Sequence, residues 1–136
     1  MRRARRGDFE RVRALLGMPV PPERPDRKRF RRLVSTLRED LYLAERDSAA
    51  PLLGLALIAY TRGLGPSTAI VRRLLASSAA EATLLLECAC ARAAARGCSV
   101  LELQLEAGDA SVRVADMLVQ NGWSEGPRSL VRRVRP

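Results

Sequence analysis

The sequence predicts a single α/β domain over residues 1–136, with a mixed, mostly antiparallel sheet flanked by helices and one parallel, splayed pair of strands. Three observations favour this fold class. The length is that of one ordinary domain, which can bury a core without disulfide or metal staples. Segments of helical period alternate with short apolar runs. After residue 68 a strand, a capped helix and a second strand follow in order, and such a crossover joins parallel strands.

The first forty residues predict a short edge strand and two helices. Residues 1–5 can pair at a sheet edge, and Asp8 is the expected N-cap of a helix that Gly17 ends. A proline-rich loop covers residues 18–25. Asp26 is the expected cap of the second helix, in which basic residues surround a narrow apolar stripe. The stripe is formed by Phe30, Leu33, Val34 and Leu37.

An antiparallel meander of three strands is expected over residues 41–76. The predicted strands cover residues 41–46, 52–60 and 68–76, with turn chemistry between them. Gly54 lies within the second strand and indicates a bulge or the close approach of another backbone.

The second half of the chain continues the alternation of helices and strands. Ser78 and Glu81 match a capping box at the start of a long helix that Gly97 ends. A strand over 98–105, a helix over 109–121 and a last strand over 129–134 complete the predicted order.

The composition excludes several classes of site. The chain contains no His, which excludes Ser-His-Asp catalysis, Cys-His catalysis and His-ligated metals. The three cysteines, Cys88, Cys90 and Cys98, are odd in number and lack the spacing of a disulfide scaffold. Cys88 and Cys90 are two residues apart, which places them on nearly opposite faces of a helix. We therefore expect no metal site.

The net charge is +9, and most of it comes from the first forty residues, with 13 basic and 6 acidic side chains. A basic surface attracts partners that carry phosphate or other anions, although biased composition alone would give the same excess. No apolar segment follows the basic N-terminus, and the longest apolar run is far shorter than a membrane span of about 20 residues. These features predict a cytoplasmic protein that does not contact a membrane.

The order of the predicted elements, together with several local phrases, resembles the GNAT N-acetyltransferases. Residues 3–9 are similar to the short strand and first helix of that family. Residues 85–87, 94–98 and 101–103 resemble its long helix and the strand after it, and Gly122-Trp123 stands where Gly-Phe is usual. The resemblance covers nearly the whole chain.

The resemblance implies that acetyl-CoA lies between the two parallel strands and that an amine attacks its thioester directly. The pyrophosphate of CoA would lie at the start of the long helix, where free N–H groups bind anions. The implied cofactor-binding residues are Leu74, Leu75, Ala76, Ser77, Ser78, Ala79, Ala80, Glu81 and Ala82.

The chain departs from the family at this loop. The family carries glycines and a Gln or Arg there, whereas residues 77–82 contain neither, and Glu81 adds a negative charge beside the phosphates. We expect weak binding of CoA through strand backbone and helix N–H groups. The alternative interpretation is that Ser78 and Glu81 form an ordinary capping box and nothing more.

The family's acid–base residues are also missing. Arg72 and Arg73 occupy strand positions where a Glu is common, and Leu118 replaces a common Tyr. The other candidates are Tyr42, Tyr60, Glu102 and Asp109, so the catalytic residue stays unassigned. Thioester aminolysis depends mainly on proximity and a deprotonated amine, so transfer without a strong base remains feasible.

Two classes of function follow from these observations. One is an acetyl-CoA-dependent N-acetyltransferase that acts on a small-molecule or protein amine. The other is an inactive GNAT-like protein that binds a partner, including nucleic acid or the ribosome as a less favoured choice. A homodimer is left open.

The arginine-rich second helix bears on the choice of acceptor. In the family this region commonly borders the acceptor site, so Arg27, Arg31 and Arg32 predict an acidic or phosphorylated acceptor or an acidic partner. The competing interpretation is a solvated face whose arginines pair with Glu23, Glu39 and Asp40.

Overall fold

The computed structural model describes residues 1–18, 24–62, 64–105 and 109–124. The chain divides into two compact units, residues 1–104 and residues 105–136, and each is described by itself. A single domain over the whole chain stays a prediction.

In the described part of the chain, the first unit contains a five-stranded sheet in the order β1-β2-β3-β4-β5. The strands are β1 (Arg2–Arg3), β2 (Glu39–Ala44), β3 (Gly54–Thr61), β4 (Thr68–Ala76) and β5 (Val100–Leu103). All neighbouring strands are antiparallel except β4 and β5, which are parallel. The predicted edge strand, meander and parallel crossover are therefore confirmed.

The helices of this unit lie on the two faces of the sheet. They are α1 (Phe9–Leu15), α2 (Arg24–Ser35) and α3 (Ala79–Ala95), and a 3-10 turn (Arg6–Asp8) leads into α1. Phe9 of α1 and Phe30 of α2 form a core cluster with Leu41, Leu43 and Leu55 of the sheet. Alternate residues of a strand point to opposite faces, so the neighbouring strand positions face α3.

Gly54 sets the distance between β3 and the end of β4. A Cβ built at Gly54 would overlap the carbonyl oxygen of Leu75 and would lie 3.1 Å from Leu85 Cδ1 on α3. The expected close approach of another backbone is confirmed, because only a residue without a side chain fits between the strand and the helix.

A bulge in β4 changes the direction of two side chains. Leu57 pairs with Arg73, whereas the next residue, Ile58, pairs with Val71. Arg72 therefore has no cross-strand partner on β3 and is the extra residue of the bulge. In a regular ladder Arg72 would stand opposite the buried Ile58, on the face covered by α3, so the extra residue spares the fold a buried arginine.

Of the two expected helix caps, Asp8 occupies the N-cap position of α1 without capping it, and Asp26 is wrong. Asp8 precedes α1, but its carboxylate accepts hydrogen bonds from the Arg2 guanidinium at 2.7 and 2.8 Å and from the Arg5 N–H at 2.7 Å rather than from α1. Asp26 lies within the first turn of α2, which begins at Arg24. Pro25 is tolerated there because the first N–H groups of a helix have no intrahelical partner.

The second unit contains α4 (Asp109–Gln120), which confirms the last predicted helix. Gly122 has a φ of 89° just beyond it, a left-handed conformation that suits glycine. The predicted strand over 129–134 lies outside the described residues.

Candidate functional site

The first unit contains a pocket of about 760 Å³ between α1, α2 and strands β2–β4. Its apolar floor combines residues from the two helices with inward-facing residues of the strands. These include Phe9, Val12, Phe30, Leu33, Leu41 and Leu57. The volume is typical of a small-molecule site.

The polar part of the pocket wall is mainly basic. Among the described residues it holds Arg29, Arg32, Arg38, Arg72 and Arg73. Two carboxylates, Asp26 and Glu39, also line it. Arginine stays protonated in proteins, so these residues give the pocket an excess of positive charge.

The arginines that form this wall differ from those expected. Arg27 donates to Glu10 Oε1 at 2.7 Å, and its guanidinium lies 5.0 Å from the centre of the Phe9 ring. Arg31 is exposed and is absent from the described lining, whereas Arg32 lines the pocket as expected. Of the three arginines named from the sequence, only Arg32 lines the described pocket.

The α2 arginines were also expected to pair with acidic residues. For Glu39 and Asp40, which the structure describes, this expectation is wrong. The carboxylate of Glu39 lies 3.7 Å from Arg72 of β4. Asp40 is surrounded by Arg3 and Arg96, which come from β1 and the end of α3. Glu23 lies outside the described residues.

The pairing of the two parallel strands ends next to the pocket. The β4–β5 pairing ends at Val71 opposite Leu103, and Gln104 N–H donates to the Val71 carbonyl at 3.0 Å. Beyond this point β4 continues to Ala76 and stays paired with β3. The parallel pair is confirmed, and its pairing ends just before Arg72 and Arg73.

The comparison with solved structures decides the fold. No protein-family model and no curated protein matches the chain. A transcriptional regulator from Bacillus halodurans C-125 is similar, with a TM-score of 0.81 and 20% identity over 98% of this chain and 97% of that one. A putative acetyltransferase from Arthrobacter sp. FB24 has a TM-score of 0.72 and 21% identity, over 99% and 94%. AAC(6')-Iy, in complex with the bisubstrate analogue CoA-S-monomethyl-acetylneamine, has a TM-score of 0.74 and 14% identity, over 99% and 97%. The chain has the GNAT fold.

The resemblance to that family predicts the CoA pyrophosphate at the start of α3. Ser77 N–H already donates to the Leu53 carbonyl at 2.9 Å, so it cannot also bind a phosphate. Ser78 is the N-cap, and its hydroxyl accepts from Glu81 N–H at 3.4 Å. The predicted capping box is thus half formed. Ala79 and Ala80 are exposed, and their N–H groups are the ones that a helix start leaves free.

Glu81 is the feature that least suits a phosphate. It lies in the first turn of α3, half-buried, and its Oε2 atom is buried with no hydrogen bond among the described residues. A carboxylate is stabilised at a helix N-terminus by the helix dipole, which is the same interaction that a phosphate would use. Ala82 is buried behind it and contributes packing rather than a polar contact.

Tyr60 is the candidate acid that lines the pocket. Its hydroxyl donates to Asp40 Oδ2 at 2.7 Å, and the Arg96 guanidinium lies 4.2 Å from the centre of its ring. Burial, and then the bond to Asp40, raise the pKa of Tyr60 above its usual value. A hydroxyl held in this way is a poor proton donor to a leaving thiolate.

Asp40 is fully buried and is neutralised by cations. Arg96 lies 3.2 Å from Oδ2 and Arg92 3.9 Å from it, and Arg3 Nε lies 2.8 Å from Oδ1 without the alignment of a hydrogen bond. A buried carboxylate needs such partners. This cluster fastens β1, β2, β3 and the end of α3 to one another.

Two further catalytic candidates of the first unit, Tyr42 and Glu102, are not part of the described pocket lining. Tyr42 is half-buried on β2, and burial raises the pKa of its hydroxyl. Glu102 is exposed on β5. Asp109 and Leu118 belong to the second unit, where Leu118 is buried.

Among the described residues, no group of three or more His, Cys, Asp or Glu side chains is placed to hold a metal ion. Cys88 and Cys98 are half-buried and Cys90 is exposed. No described helix is long and apolar enough to cross a membrane.

Proposed function

We propose that this protein is an acetyl-CoA-dependent N-acetyltransferase whose acceptor amine binds in the pocket beside α1 and α2. The GNAT fold supports the proposal, and so does its likeness to AAC(6')-Iy, which binds a bisubstrate analogue that contains CoA.

One observation carries the proposal. β4 runs five residues beyond its last partner on β5, from Arg72 to Ala76. An extended chain can pair with such a strand as an added strand. The pantetheine arm of acetyl-CoA has amide groups that suit this pairing, so Leu74, Leu75 and Ala76 would bind it. The thioester would then lie toward the bulge, where the pocket meets β4.

The chemistry that these residues support is direct aminolysis. The amine nitrogen forms a bond to the thioester carbonyl carbon, the carbon–sulfur bond breaks, and CoA leaves as a thiolate. The proton lost by the amine passes to solvent and the thiolate is protonated from solvent. Arg72 and Arg73 stay protonated, so they can position the reacting molecules but cannot accept the proton of the amine. The pocket contributes mainly by holding the amine next to the thioester.

The start of α3 would bind the pyrophosphate through the N–H groups of Ala79 and Ala80 and the positive end of the helix dipole. The Ser77 N–H is already used within the fold, the Ser78 hydroxyl accepts from Glu81 N–H and can still donate its own proton, and Glu81 opposes the phosphate charge. Affinity for CoA is therefore expected to be weak.

Calorimetric titration with acetyl-CoA, followed by an assay of thiol release with added amines, tests this function. Ala80→Asp places a second carboxylate at the helix start and is expected to weaken binding by about tenfold. The matched control is Ala91→Asp, an exposed alanine further along the same helix, which is expected to bind normally. Failure of acetyl-CoA to bind at millimolar concentration would refute the proposal, and submicromolar affinity would refute the impaired loop.

The absence of glycine in residues 77–82 is the observation that favours a second function, a GNAT-fold protein that binds a partner without acetyl transfer. Nucleic acid is less favoured as that partner, because several N-terminal arginines are already paired within the fold. Arg2, Arg11 and Arg13 contact Glu45 or Glu10. Binding of acetyl-CoA without any transfer to amines would support this alternative.

A further inference from the structure

Two consecutive arginines share one wall of the pocket because of the bulge in β4. Arg73 stands opposite Leu57, and cross-strand partners lie on the same face of a sheet. Arg72 is the extra residue of the bulge, and it lines the same pocket. Two arginines from adjacent positions thus line one pocket, just beyond the point where the pairing of β4 with β5 ends.

The surrounding charge does not neutralise this pair. Five arginines line the pocket against two carboxylates in the described residues. Glu39 lies 3.7 Å from Arg72, and both side chains are partly exposed, so this ion pair is weak. Apolar walls concentrate the field of the remaining positive charge inside the pocket.

We propose, on the premise of the acetyl transfer described above, that the acceptor is an amine that also carries an anionic oxygen group, a carboxylate or a phosphate, on an apolar body. Arg72 and Arg73 bind the anionic group. Guanidinium forks match the two oxygens of such a group and bond to them more strongly than neutral donors do. The aromatic and aliphatic floor holds the apolar body. An acceptor with several amines and no anion is repelled by the same charge.

A binding experiment without acetyl-CoA tests the anion site directly. Phenylalanine and phenylalaninamide have the same apolar body and differ in the anionic group. NMR titration at low salt is expected to show phenylalanine binding about tenfold more tightly than the amide. The double variant Arg72→Gln, Arg73→Gln is expected to lose this preference. The control Arg5→Gln, Arg46→Gln removes two exposed arginines outside the described pocket lining and is expected to keep it.

The double variant could lose the preference simply because it misfolds. A second variant is therefore needed that is expected to increase the preference. Glu39→Gln removes the carboxylate beside Arg72 and is expected to increase the preference for phenylalanine about threefold. Equal affinity for the two probes, or a preference that neither the double variant nor Glu39→Gln changes, overturns the proposal.

An acetylation assay with the same two probes tests the anion site and the acetyl transfer separately. The rate of thiol release is measured with each probe and acetyl-CoA, and kcat/KM is expected to favour phenylalanine about tenfold. The amide has the less basic amine and so the larger unprotonated fraction, which works against this result. If neither probe is acetylated while phenylalanine binding depends on Arg72 and Arg73, the acetyl transfer is refuted and the anion site stands. If the amide is the better substrate, the transfer stands and the anion site is refuted.

Discussion

The pocket beside α1 and α2 and the start of α3 differ in how they treat an anion. The pocket brings arginines from α2 and β4 together over an apolar floor. The start of α3 has the N–H groups and dipole that attract a phosphate, yet it carries Glu81 and has no basic side chain in residues 77–82. Among the described residues, the pocket is thus the more basic of the two places.

This difference shows that the two sites depend on different parts of the chain. The helix start is local, because its residues are consecutive and its donors belong to the backbone. The pocket is assembled from α1, α2 and three strands, so its charge depends on the register of the sheet. A change in register alters the pocket, while a change of one side chain alters the helix start.

The largest effect is expected from Gly54→Ala, which affects the scaffold behind the start of α3. The added Cβ overlaps the Leu75 carbonyl, which is backbone and cannot move aside cheaply. We expect a loss of about 3 kcal/mol in the free energy of unfolding, measured by urea denaturation. Gly7→Ala is the control, since a Cβ there meets nothing within 4 Å. Equal stabilities for the two variants would show that β3 and β4 are not held this closely.

Tyr60→Phe tests whether the pocket contains a catalytic acid. The variant removes the hydrogen bond to the buried Asp40, which is expected to lower the free energy of unfolding by about 1.5 kcal/mol. We expect kcat for acetyl transfer to change less than about threefold, because the hydroxyl is held by Asp40. Tyr42→Phe is the control for loss of a phenol, with an effect on stability within about 0.5 kcal/mol. A loss of kcat of a hundredfold at unchanged stability would instead make Tyr60 the acid.

Arg2→Gln tests the ion-pair cluster that fastens β1 and the start of α1 to β2 on the pocket side. Arg2 bonds to Asp8 and Glu45, and these bonds lower the pKa of both carboxyls. Arg2 is partly exposed, so we expect a loss of only about 1 kcal/mol at pH 7.

The pH dependence of this effect has a definite sign. A carboxyl with a depressed folded-state pKa stabilises the fold above its unfolded pKa of about 4, and this contribution is lost as the pH falls through the lower folded value. Thermal unfolding between pH 7 and pH 2 should therefore show the difference between wild type and Arg2→Gln shrinking below about pH 4. A difference that stays constant to pH 2 would show that the ion pairs are not its cause.

The smallest effect is expected from Glu81→Gln, which removes a negative charge from the start of α3 and so makes it, like the pocket, more favourable to an anion. Removal of the carboxylate charge should lower the Kd for acetyl-CoA about threefold in calorimetric titration at low salt. The control is Glu87→Gln, an exposed carboxylate further along α3, for which no change is expected. Unchanged affinity in both variants would mean that the phosphates bind away from this helix start.

The order and type of the elements could be predicted because each element carries its own signal. The apolar run that contains Gly54 indicated β3, and the pattern of Ser78 and Glu81 indicated the start of α3. The role of a side chain was less predictable where it had a distant partner. Asp8 looks like a cap in sequence, but Arg2 on the neighbouring strand binds its carboxylate.

The pocket wall could be predicted only in part. Its α2 side follows from an amphipathic pattern within one helix, although the pattern could not distinguish Arg32 from Arg27, which is directed to Glu10. The contribution of Arg72 and Arg73 has no local signal. These residues alternate like those of any strand, and only the pairing of Ile58 with Val71 shows that both reach the same side.

The sequence by itself determined the α/β fold class, the parallel crossover and the missing glycines at the start of α3, because periodicity and capping act within a few consecutive residues. The tertiary structure decided which arginines share the pocket, why Tyr60 is held by Asp40, and where β4 and β5 part. Each of these depends on strand register and on contacts between residues far apart in the chain, and a shift of one residue in register sends a side chain to the opposite face of the sheet.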